Sequence, residues 1–86
     1  MNTETEIVCK DLYDNNPNIY FFWGVVAKET SDVDTLATTL ESQTYEQFRS
    51  ADLGIVCEAL LENALRNVDW KEVAEYVMED VEDRSE

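Results

Sequence analysis

The sequence predicts an all-α fold, a compact bundle of four to five short helices forming a single acidic domain over residues 1–86. Three observations predict it. Only two glycines and one proline occur, and no Asn-Gly or Asp-Gly hairpin turn is present. Helix-capping residues recur just ahead of apolar stretches. Within those stretches the apolar residues fall at spacings of three and four.

Taken in order, Thr3 and Glu6 have the spacing of a capping box, and Ile7, Val8, Leu12 and Tyr13 fall near one helical face. A strand over residues 6–12 stays open as the alternative. Asn16 and Pro17 form an N-cap and first-turn pair, because proline loses no hydrogen bond at a position whose amide is already unpartnered. Ile19, Phe22, Trp23 and Val26 then repeat at helical spacing, with Tyr20, Phe21 and Val25 as a second apolar face; a buried strand is the rival reading of these aromatic and β-branched residues, and the cap favours the helix. A helix apolar on most sides is covered on most sides. This one is therefore either central in the bundle or met by another subunit, and a homodimer is expected.

Ser31 and Asp32 can cap a helix carrying Val33, Leu36, Ala37 and Leu40, after which Thr44 opens a short turn using Tyr45 and Phe48. Asp52 begins a stronger helix, with Leu53, Val56, Leu60 and Ala64 in one row and Ala59, Leu61 and Leu65 beside it. Gly54 sits in its first turn. Asp69 and Glu72 again have capping-box spacing, and Trp70, Val73, Ala74, Val77, Met78 and Val81 define an amphipathic helix from Trp70 to about Asp83.

The charge balance narrows the function. Twenty acidic residues stand against six basic ones, a formal charge of −14. Nucleic-acid binding driven by counterion release needs lysine and arginine, and anionic membranes repel such a surface. The expected partner is a basic or nucleic-acid-binding protein, with no direct contact to nucleic acid or membrane. The longest apolar run, residues 19–27, is too short for a membrane span of about 20 residues. The opening stretch MNTETEIVCKD is acidic where a secretory leader is basic and then apolar, so a cytoplasmic location is expected, with Cys9 and Cys57 as free thiols.

Catalytic patterns are missing from the sequence. There is no histidine to act as a base near neutral pH, and no GxSxG, GxxxxGK[ST] or GxGxxG motif. The expectation is a non-enzyme without cofactor or metal. Asp14, Asn16 and Asn18 match the first positions of a calcium loop, but Ile19 stands where glycine is needed and Val25 where a bidentate glutamate is needed. Asp32 and Asp34 fail sooner, at Leu36.

The C-terminal acids form the sharper pattern. Glu72, Glu75, Glu79, Glu82 and Glu86 step by three and four residues, which places them in a line opposite the apolar row, about 5 Å apart along the axis. Asp80 and Asp83 flank them. Backbone phosphates of DNA are spaced on a broadly similar scale. An ordinary solvated face mixes signs in Glu–Lys pairs four apart, whereas the members of this line are all acids.

The segment LLENALRNVDWKEVAEYVMED, residues 60–80, resembles the "LLxxALxxVDWxEIAexLxxD" stretch of a group of small acidic proteins from phages and mobile elements. It covers about a quarter of the chain. The early helix, NIYFFWGVVA, departs from that group's YETWNVAL wording. In character the chain is also similar to phage antirestriction proteins that mimic DNA, which are short, helical and very acidic.

Two functions follow as expectations. In the first, the chain is a phage-type inhibitor of a host defence or nucleic-acid-binding protein, acting in the host cytoplasm. It would fill a basic groove with Glu72, Glu75, Glu79, Asp80, Glu82 and Asp83. In the second, it is an adaptor that binds through an apolar surface including Tyr20, Phe21 and Trp23, with the acids serving solubility. A regulatory subunit is a weaker variant of the second.

Overall fold

The computed structural model describes residues 1–51 and 54–84. Five helices follow one another, and no strand occurs among the described residues. Helix α1 begins as α-helix over Thr3–Glu6 and continues as π-helix over Ile7–Asp14. Then come α2 (Pro17–Glu29), α3 (Val33–Ser50), α4 (Ile55–Arg66) and α5 (Trp70–Arg84).

The starts are set by caps. Asn2, one residue ahead of the expected Thr3, accepts from the Thr5 amide at 2.8 Å. Asn16 accepts from the Ile19 amide at 3.4 Å, with Pro17 in the first turn. Asp32 accepts from both the amide and the hydroxyl of Thr35, and the hydroxyl bond above all holds its carboxyl below its ordinary range. Asp69 accepts from the Glu72 amide at 3.2 Å.

The π-helical stretch explains how α1 buries its apolar side. Val8, Cys9 and Tyr13 are buried. Val8 and Tyr13 are five residues apart, and the wider turn of i→i+5 bonding brings such a pair onto one face.

Two expectations are corrected. No short turn begins at Thr44: α3 is one helix of 18 residues. The stretch ESQT has little apolar content, but it holds no glycine or proline to stop a helix. Of the two places expected for α2, the central one is taken by α5, and α2 lies beside it with Phe21, Phe22 and Val25 exposed. α5 packs along α3 and α2 and also meets α1, burying Trp70, Val73, Ala74, Val77 and Val81. Leu36, Ala37 and Leu40 supply the α3 side of this seam, and Ile19, Trp23 and Ala27 the α2 side.

Polar ties fasten the amino-terminal turn to the start of α5. The fully buried Thr5 hydroxyl accepts from the Asp69 amide at 2.8 Å, and the Asn2 side chain donates to the Asn67 carbonyl at 2.6 Å. Helix α4 stands outside the seam. None of its residues is buried, and the row expected to face a core ends at Val56 and Leu60, which are 72% and 67% exposed. The expected start of this helix, Asp52 and Leu53, lies outside the described residues; the cap is Gly54, at φ +87°.

Leu40→Ala should therefore lower unfolding free energy by about 3 kcal/mol, read from urea denaturation, since it removes a fully buried side chain from the α3–α5 seam. A second expectation concerns the thiols. Cys9 is buried and its thiol is pushed up to about 11, by burial first and then by Asp14 and Glu72. Cys57 is exposed. A thiol reagent near neutral pH should modify Cys57 at once and Cys9 only when the chain unfolds.

Candidate acidic interface

The outer side of α5 follows from its inner side. Once the apolar row points into the bundle, the positions between must face water. Glu75, Glu79, Glu82 and Asp83 are all exposed. Among the described residues, no lysine or arginine lies within ion-pair distance of these four. Glu72 is half-buried and pairs with the amino terminus at 3.6 Å. From Glu72 to Asp83 the line runs about 16 Å along the axis. Glu86, its expected last member, lies outside the described residues.

Asp80 belongs to the interior side. The buried Tyr13 hydroxyl donates to it at 2.8 Å, and the Arg84 Nε lies 3.5 Å from the same oxygen. Arg84 also donates to the Tyr13 hydroxyl at 3.2 Å and places its guanidinium carbon 4.2 Å from the centre of the Tyr20 ring. Gly24 leaves the space for this arginine: a Cβ there would meet Arg84 Nη2 at 2.7 Å. Asp80 is thus paired with a cation and serves as a structural link, which corrects its place in the expected outer line.

A residue the spacing could not reveal joins this face. Tyr76 donates to Asp14 of α1 at 2.5 Å, which brings a carboxylate from a second helix alongside α5. Tyr76, Glu79, Asp80 and Asp83 line a shallow groove of about 260 Å³. Among the described residues, no group of three or more His, Cys, Asp or Glu side chains could hold a metal ion.

The expected apolar interface separates into three different environments. Trp23 is 2% exposed and stacks with Tyr13 at 6.0 Å, so it is core and presents no surface. Tyr20 is half-buried under Arg84. Phe21 is 72% exposed, and the exposed Phe22 and Val25 extend the same outer arc of α2. No described helix is long and apolar enough to cross a membrane.

Fold and surface together define an all-α protein with one continuous carboxylate edge on a buried-backed helix. No family model, curated protein or solved structure matches the chain.

The tyrosines give this corner an alkaline limit. Tyr76 is pushed up to about 12, first by its bond to Asp14 and then by burial, and Tyr13 is raised further by burial and by Asp80. The folded chain holds these protons more tightly than the unfolded chain. Their contribution is complete below the ordinary value of 10.0; the part owed to Tyr76 is lost as pH rises through about 12, and that of Tyr13 at still higher pH. Urea midpoints should fall over that range, and Tyr76→Phe should flatten the decline.

Proposed function

We propose that this chain is an inhibitor of a nucleic-acid-binding protein, of the kind phages direct against host defence, and that it occupies the target's basic groove in place of DNA. The observation that carries the reading is the line of Glu75, Glu79, Glu82 and Asp83, exposed and without a cation at ion-pair distance among the described residues. Because α5 is anchored along its length by its buried row, the backbone beneath these carboxylates is held in register, and binding has only their side chains to order. The chain's charge of −14 adds a long-range field that speeds encounter with a cationic groove. The resemblance of residues 60–80 to small acidic phage and mobile-element proteins supports the same context.

The exposed arc of Phe21, Phe22 and Val25 favours a second reading, an adaptor that binds a partner through apolar contact. One assay separates the two. The chain is incubated with purified DNA-cleaving restriction enzymes, and protection of a duplex substrate is followed. Mimicry predicts protection that falls by at least about tenfold as salt rises from about 50 mM to about 200 mM. The triple variant Glu75→Gln, Glu79→Gln, Glu82→Gln should slow association roughly tenfold, while Phe21→Ala keeps wild-type protection. Protection that ignores salt and is lost in Phe21→Ala would instead establish the apolar reading.

A further inference from the structure

Helix α4 has two apolar faces. Its inner one, Leu61, Ala64 and Leu65, lines an apolar cleft of about 120 Å³ with Ile7, Val8 and Val68 at the helix's carboxyl-terminal half. Its outer one is formed by Ile55, Val56, Ala59 and Leu60, at spacings that place them on one arc. Ile55 is 86% exposed, more than any other large apolar residue described. From that face we infer that α4 is a self-association surface, on which a second copy of this chain lays its own α4 across a two-fold axis. This inference is independent of the acidic edge.

Area, charge and helix stability support a second copy as the occupant. The three large side chains expose on the order of 400 Å² per copy, so pairing with their immediate surroundings removes roughly 1,000 Å² from water in total, near the floor for a specific interface. A reversible dimer of modest affinity is what that area supports.

Charge permits pairing on this face. The chain carries −14, so two copies repel unless they meet where charge is sparse. Within α4 there are two glutamates and one arginine, and Glu62 and Arg66 already neutralise each other at 2.9 Å. The four apolar residues of the arc carry no charge, and the paired Glu62 and Arg66 line a groove beside Ala59 and Leu60.

The helix also needs the cover. It has 12 residues and an N-cap glycine that supplies no side-chain hydrogen bond. Isolated helices of about that length are marginal in water. An identical α4 supplies apolar cover, and Ala59, small and central on the arc, lets the two backbones approach closely.

The test is sedimentation equilibrium of the full chain, whose monomer mass is 9.9 kDa. The expected result is a monomer–dimer equilibrium that tightens as salt screens the mutual repulsion, opposite in sign to the salt effect on the acidic edge. The double variant Val56→Gln, Leu60→Gln should weaken association at least about tenfold, whereas Phe21→Ala should leave it unchanged. In a Cys57→Ser background, Ala59→Cys should form a disulfide-linked dimer under mild oxidation, because residues at the centre of a two-fold contact meet their own copies. A monomeric wild-type chain, which leaves this face to a different partner, would overturn the inference. So would a dimer that persists unweakened in the Val56→Gln, Leu60→Gln chain without A59C cross-linking.

Discussion

The structure depends on the burial of one side of α5. Trp70, Val73, Ala74, Val77 and Val81 fill the space between α3, α2 and α1, and each valine among them contributes about 1.5–3 kcal/mol on leaving water. In a chain of 86 residues this seam is a large part of the core. It also fixes everything on the opposite side. With the apolar row turned inward, the glutamates between its members have only solvent to face, and their mutual repulsion is borne by the seam behind them.

A second constraint closes the corner where α1, α2 and α5 meet. Tyr13 stacks on Trp23, contacts Tyr20 and Tyr76 through its ring, and gives its hydroxyl proton to Asp80. Arg84 spans Asp80, Tyr13 and Tyr20. A buried hydroxyl is costly unless satisfied, and that of Tyr13 finds both its partners, Asp80 and Arg84, on a different helix. The π-helical turn of α1 helps bring this about, because it lets Val8 and Tyr13 share a face.

The capping residues made most of the helices legible: Asn16 with Pro17, Asp32 and Asp69 each start a helix where the residue types require it. The exposed members of the acidic line were legible too, since alternation with a clear apolar row leaves them one direction. What could not be read was which side of an apolar helix is covered. α2 and α4 are apolar around much of their circumference, so periodicity could not distinguish the buried Trp23 from the exposed Phe21, or foresee that Val56 and Leu60 face away from the bundle. Asp80 was assigned to the outer line for a related reason. Its partner Tyr13 lies 67 positions away, and spacing along one helix carries no information about such a contact.

The carboxylates of α5 therefore divide by what they hold up. Asp80 is tied to two other side chains, Tyr13 and Arg84, which also bond each other, and changing it disturbs the architecture. Glu75, Glu79 and Glu82 touch nothing the bundle relies on, so their identities are free to drift while the backbone beneath them stays put. A rigid frame bearing a rewritable edge is a form that can follow a changing target without having to be reinvented.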